Sequence, residues 1–286
     1  TATMKSQGQE LSVQTTNIKN NNLTWVTNVI FSHVTTEVTS LMSQARTIDL
    51  VNGEASSGFT MEGYPHRAIF SMPFQGLTDK GIPTYLNEKG ELTSTDLDFQ
   101  NRNSNGYLIY EGPTEPTITG SFGNEIKWKN WRLNVFLTYS FGSYVRLDRI
   151  FSAQYNDLTS MTKEFKNRWM QAGNEKTTSV PTILPYRSYA SDRNLRIAYN
   201  AYNYTSNRTA KGDFVRMKEI SLGYDFPKAM LRSTPFTNLS LKLQATNLFL
   251  IYADKKLNGQ DPEFVNAGGV AAPIPRQFTM TLKFGL

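Results

Sequence analysis

Residues 131–142 read WRLNVFLTYSFG, and their alternation decides the fold class. The odd positions are Trp131, Leu133, Val135, Leu137, Tyr139 and Phe141; the even positions are Arg132, Asn134, Phe136, Thr138, Ser140 and Gly142. A period of two is the period of a β-strand, whose successive side chains leave opposite faces. One face here is wholly apolar or aromatic and the other mostly polar. The last residues repeat the pattern, with Phe278, Met280, Leu282, Phe284 and Leu286 set against Thr279, Thr281, Lys283 and Gly285. Segment 239–251 does so through Leu239, Leu241, Leu243, Ala245, Phe249 and Ile251. Segment 213–227 does so through Ile220, Leu222, Tyr224 and Phe226, and segment 116–128 through Ile118, Phe122, Ile126 and Trp128. Segments 9–18 and 23–38 are weaker. In the second, Val26, Ile30, Val34 and Val38 share a face with Asn28, Ser32 and Thr36, so it is a strand by composition but of ambiguous facing.

The connections between these strands are unequal. Three are short: residues 19–22, residues 129–130 and the stretch around 227–238. Three are long: roughly 39–115, 143–212 and 252–276. Short and long alternate along the chain. Antiparallel neighbours put successive connections at opposite sheet ends, so all the short ones fall at one end. That is the layout of an outer-membrane barrel, with short periplasmic turns and long extracellular loops. Trp25, Trp128, Trp131, Phe226, Phe236 and Phe284 all lie near the short-turn end, as an interfacial girdle would. The competing architecture is a soluble β-sandwich, which also alternates but seldom carries three such loops at one end. The expected count is seven strands, or nine if 39–115 holds a hairpin. In the long connections, 161–175 is expected to hold a short helix and 227–233 a helical turn starting near Pro227.

Composition removes other classes. The 286 residues include 30 Lys+Arg and 24 Asp+Glu, a net charge of +6, scattered without a basic block, so nucleic acid is not an expected partner. Charged residues are 19%, below the roughly 25% usual in soluble domains. Aromatics at 12% argue against long disorder. The longest apolar run, Leu248–Ala253, is far short of the about 20 residues of a spanning helix. The first ten residues, TATMKSQGQE, do not read as a signal peptide. There is no cysteine, and there are two histidines, His33 and His66. Thiolate chemistry is excluded, and no metal site or cofactor is expected. His33 sits mid-strand and reads as hydrogen-bonded or lumen-facing; His66 sits in a loop. Asp96 with Asp98, and Asp261 with Glu263, read as solvated acidic pairs rather than the acid/base couple of a glycosidase. The glycines of 266–270, NAGGV, follow no strand and open no helix, so they suggest no phosphate cradle. No enzymatic motif is present, and the chain is expected not to be an enzyme.

The stretch 186–204 is dense in Tyr and Arg. Arg193, Arg196, Tyr199, Tyr202 and Tyr204 are the candidate substrate-binding residues, because flat rings and guanidinium forks suit sugar rings or peptide backbones. The same composition suits loop packing or a protein interface equally well.

Several stretches carry a family resemblance: GDFVRMKEISLGYDFP at 212–227, LSLKLQATNLFL at 239–250, NGQDPEF at 258–264 and the final QFTMTLKF. Upstream, GQELSVQTTNIKNNNLTWVTNVIFSHVTTEVTSL, EGPTEPTITGSFGNEIKWKNWRLNVFLTYSFGSYVRL and NRWMQAG follow in the same order. In these the chain resembles the C-terminal barrel portion of the SusC/RagA-like TonB-dependent outer-membrane transporters of Bacteroidetes. The resemblance implies that residues 1–286 are the last strands of a transmembrane β-barrel of about 22 strands, with no plug domain in this chain. It implies a bacterial outer-membrane location and import of nutrient oligomers, oligosaccharides or peptides. The implied partners are a SusD-like surface lipoprotein, the TonB complex through the missing N-terminal part, and the remainder of the barrel. The residues alone leave a second reading open: a soluble or surface-attached all-β glycan-binding module.

Overall fold

The computed structural model describes residues 2–56, 58–151, 162–265 and 274–286. One sheet of seven antiparallel strands dominates: β1 (Ala2–Lys19), β2 (Leu23–Leu41), β3 (Ile118–Trp128), β4 (Trp131–Phe141), β5 (Phe214–Asp225), β6 (Asn238–Ala253) and β7 (Gln277–Gly285). Each strand pairs with its sequence neighbours, so the sheet order is the chain order. The expected seven strands are the seven found. The additional short strands of the first long loop, such as Ala68–Ser71 paired with Ile109–Pro113, form small sheets of their own and do not join the wall.

The short turns follow from local chemistry. At the first, the Asn20 side-chain carbonyl accepts from the backbone N–H groups of Asn22 and Leu23, at 2.9 and 2.8 Å. The second is a two-residue hairpin turn in which Lys129 takes a φ of 52°, the left-handed geometry that two-residue hairpins need. The third holds the expected helical turn, Lys228–Leu231, capped by Pro227. The segment expected to be helical at 161–175 forms two short 3-10 turns instead, Lys163–Asn167 and Asn174–Lys176. Residue 161 and the glycines of 266–270 lie outside the described residues.

Register assigns the two faces. Trp25, Ile126, Leu133, Leu222, Leu243 and Met280 form one row across six strands. The next row towards the loops on the same face contains Val135, Ile220, Ala245 and Phe278. On the opposite face Glu125, Asn134, Ser221, Gln244 and Thr279 line up. Leu222, Leu243 and Met280 are 41%, 49% and 72% exposed, and among the described residues no second sheet covers them. A sandwich would bury that face; a barrel gives it to lipid. From Trp131 to Phe141 the apolar face spans about 33 Å of strand. Tilted by about 40°, it covers the roughly 25 Å height of a lipid-facing band. Trp131 against Tyr224 (4.6 Å), Tyr224 against Phe226 (5.0 Å) and Phe236 against Phe284 (5.5 Å) close its lower rim with rings.

The ambiguous β2 is settled by its partners. Trp25, Val29 and Phe31 fall on the lipid face, while Val26 and Ile30 fall with Asn28 and Ser32 on the inner one. His33 pairs with Ile118, itself opposite Phe141, which places it at the outer rim of the lipid face and not in the lumen. This corrects the lumen-facing alternative, for a reason of parity: β2 enters from its turn one residue out of step with a simple apolar count.

Candidate functional site

The three long loops stand at the end of the sheet opposite the turns, and they pack together. The first two share one apolar core. Leu50 and Val51 come from the helix Thr47–Ser56, here α1, and meet Phe70, Met72, Tyr85, Ala198, Ala201 and Tyr204. At its centre lies Arg146, with 8% of its surface exposed. Its Nη1 donates to Ser71 Oγ (3.0 Å) and to the Thr205 carbonyl (3.2 Å). Its Nη2 donates to the carbonyls of Phe70 (2.6 Å) and Val51 (3.5 Å). One guanidinium thus ties four points of two loops together. Burial pulls its pKa down to about 10, while the nearby Glu111 carboxylate acts the other way.

The third loop is held to the same body. Arg216 projects from the inner face of β5 and pairs with Asp261 (2.5 Å) and Glu263 (2.7 Å). The two acidic residues that sequence alone read as solvated are therefore a latch. Leu257 packs among Val145, Leu147 and Ala210 of the second loop. The side-chain amide of Asn258 donates to Glu164 at 3.2 Å, and Glu164 also pairs with Arg208. All three loops form one crown.

Arg193, Arg196, Tyr199 and Tyr202 share one helix, α2 (Arg193–Tyr202), which sequence reading did not anticipate. The Asp192 carboxylate caps it by accepting from the N–H groups of Asn194 and Leu195. Its buried face is Ala198, Tyr199, Ala201 and Tyr202. The Tyr199 ring lies tilted against Phe151 at 4.8 Å and Tyr202 meets Phe74 edge-on at 5.6 Å. The Tyr204 hydroxyl bonds Asn52, at 3.2 Å, and accepts from Arg149. The three tyrosines are 0%, 1% and 6% exposed, so they build the crown's interior. Only the arginines reach outward: Arg193 is exposed, and Arg196 is half-buried and donates to the Ala190 carbonyl at 3.1 Å. His66, in the first loop, lies 3.1 Å from the Thr60 hydroxyl.

Polar hollows accompany the wall and the crown. One, of about 490 Å³, lies against the polar face of the sheet near the turns, lined by Glu125, Arg132, Asn134, Ser221, Lys242 and Lys283. Arg132 pairs there with Asp225, and Lys242 with Glu219. Another, of about 780 Å³, opens in the crown, lined by the second loop and by Lys256 of the third. Sequence reading missed both, because each gathers residues from distant strands or loops. Among the described residues no group of three or more His, Asp or Glu is placed to hold a metal.

No protein-family model matches the chain. It is 26% identical over 277 residues to TonB-dependent receptor P3 of Formosa agariphila, a match covering 91% of this chain and 25% of that protein. To TonB-dependent receptor P39 of the same organism it is 24% identical over 309 residues, covering 94% and 28%. The chain thus spans about a quarter of the length of the curated relatives it matches. Its fold is similar to the structure of the RagAB peptide transporter, with TM-score 0.68 and 19% identity over 99% of this chain and 29% of that one. Against the RagAB peptide importer in its closed-closed state the TM-score is 0.70, at 21% identity over 98% and 29%. Strand order, one-sided loops and the matches to the two receptors agree with the resemblance to the barrel portion of SusC/RagA-like TonB-dependent transporters.

Proposed function

We propose that this chain supplies part of the wall and part of the extracellular crown of a transporter that imports nutrient oligomers, oligosaccharides or peptides, across the outer membrane. The observation that carries this reading is the crown itself: three loops from one barrel end, fused by Arg146, Arg216 and Glu164 above a polar inner wall. Loops of this length ordered into one body at a barrel mouth serve binding. The relatives are named receptors and a transporter, which supports a non-enzymatic role.

An arc has two open edges, and unpaired backbone cannot face lipid. The outer edges of β1 and β7 therefore pair with the remainder of the barrel. The crown is the seat for a SusD-like surface lipoprotein acting as lid, and the TonB complex engages through parts of the transporter outside this chain. Of the five substrate-binding candidates, Arg193 and Arg196 are the two whose side chains can meet an oligomer or the lid. Removing the outer part of loop 143–212 from the full-length transporter should abolish oligomer uptake while the barrel still assembles. Deleting TonB should do the same. Uptake that persists without TonB would refute the reading.

A further inference from the structure

We propose that the cleft between the second and third loops is a binding site for acidic peptides, a reading that rests on the import function above and narrows its substrate. The cleft of about 780 Å³ and a neighbouring one of about 400 Å³ flank the Glu164–Arg208 pair. A ligand of several residues fits a site of this size. The lining charges are strongly unequal. Among the described lining residues Arg149, Lys163, Arg168, Arg208 and Lys256 face Asp148 and Glu164.

Of these seven, one ion pair forms among the described residues, Arg208 with Glu164. Three of the other four cations are held in place by neutral groups, and Lys163 is exposed. Arg149 donates to the Tyr204 hydroxyl (3.2 Å), Arg168 stacks 5.0 Å from the Phe165 ring, and Lys256 donates to the Thr209 carbonyl (3.2 Å). Cations positioned without counter-charge raise the local concentration of anions and reward a ligand that brings carboxylates.

The rest of the lining indicates a peptide. Asn167 and Gln171 line it with side-chain amides, groups that pair with backbone N–H and C=O, and the Asn174 amide nitrogen joins them while its carbonyl is held by the Met170 and Gln171 N–H groups. The aromatic residue among the lining, Tyr202, is 1% exposed and its ring is spent on Phe74. No flat platform for a sugar ring is present among the described lining residues.

The test uses the full-length transporter in detergent and calorimetric titration with hexaglutamate, hexaserine and hexagalacturonate. Hexaglutamate should bind at least tenfold more tightly than hexaserine, and weaken steeply as salt rises. The triple variant Lys163→Gln, Arg168→Gln, Lys256→Gln should lose at least tenfold for hexaglutamate, with an unchanged unfolding temperature. Should the triple variant unfold early, Lys163→Gln alone, at an exposed position, should still weaken hexaglutamate binding severalfold. Equal binding of hexaserine, tighter binding of hexagalacturonate, or indifference to the substitutions would overturn the proposal. TonB-dependent uptake of neutral oligomers, measured in the same strain, separates the two failures. If it persists, only the acidic-peptide site falls; if it is absent, the import reading falls with it.

Discussion

Tyr139 lies across Gly120, and its hydroxyl donates a 2.9 Å hydrogen bond to the Ile30 carbonyl, two strands away. A Cβ at Gly120 would collide with both that hydroxyl and that carbonyl. The glycine is therefore a slot in β3 through which β4 is fastened to β2. In an antiparallel wall the usual fastening runs only between neighbours, so this contact braces three strands at the outer rim.

Gly120→Ala should force the ring out of its slot and lower the temperature at which the full-length barrel loses its compact form on heat-modifiability gels. Tyr139→Phe should keep the ring seated and remove only the hydrogen bond, at a cost of about 1 kcal/mol. If Gly120→Ala proves no more harmful than Tyr139→Phe, the slot has no structural role.

The two faces of β4 should respond oppositely to charge. Val135 sits on the lipid face opposite Ile220, and Val135→Arg should cost about 2–4 kcal/mol in a lipid-refolding assay. The inner-face control is best placed at Asn134, whose side-chain amide already donates to Glu219 at 3.2 Å and which pairs with Glu125. Asn134→Arg should be neutral or mildly stabilising. Thr138 is a poorer control, because it stands directly opposite Arg216 and an arginine there would meet a like charge. Equal tolerance at positions 135 and 134 would refute the membrane facing.

Those faces were legible in the sequence because a period of two needs only local information. In 131–142 no residue of the lipid stripe is polar. β2 was not legible, because its inner face is itself partly apolar. Val38 near its upper end is buried, and its backbone bonds Tyr64 and Gly63 of the first loop. Hydrophobicity there reports a loop cover and not lipid. The crown was beyond reach for a related reason. Arg146 contacts residues 51, 70, 71 and 205, and no local pattern announces such a pairing. α2 has a local signal of its own. Asp192 is a good cap, and Ala198 with Ala201, and Tyr199 with Tyr202, stand three apart as one helix face requires. That spacing marks the tyrosines as interior, which composition alone did not.

Arg146 should be the residue on which crown order depends. Replacing it by Ala removes its four contacts and takes a buried donor from the Phe70 carbonyl and the Ser71 hydroxyl, while the Thr205 carbonyl keeps the Arg208 N–H at 2.9 Å. Buried groups left without partners cost about 1–3 kcal/mol each. Arg146→Ala should therefore leave the strands protected while hydrogen exchange rises around 68–72 and 203–205 and protease cuts both loops. Arg146→Lys should rescue only part of the effect, since one ammonium lacks the planar fork. Uniform loss of protection in wall and crown together would show that the crown has no stability of its own.

The last expectation concerns alkaline pH. Burial pushes the Tyr202 hydroxyl up to about 12, above the value near 10 of a free tyrosine. Between those values the folded crown keeps a proton that the unfolded segment has released, so folding binds the proton and stability must fall as pH rises. The contribution is complete below pH 10 and is lost as pH climbs through 12. Arg146 acts in the opposite sense over part of the same range, because its folded value is the lowered one. The parent protein alone therefore cannot isolate the effect, but the difference from Tyr202→Phe can. Phe keeps the contact with Phe74 and has nothing to titrate. Limited proteolysis of loop 143–212 should become faster between pH 10 and 12 in the parent and less steeply so in Tyr202→Phe. Phenolate absorbance should show one late-titrating tyrosine fewer in the variant. Identical pH profiles for the two proteins would mean that the Tyr202 hydroxyl is in contact with solvent, and that the floor of the cleft is open where the structure has it closed.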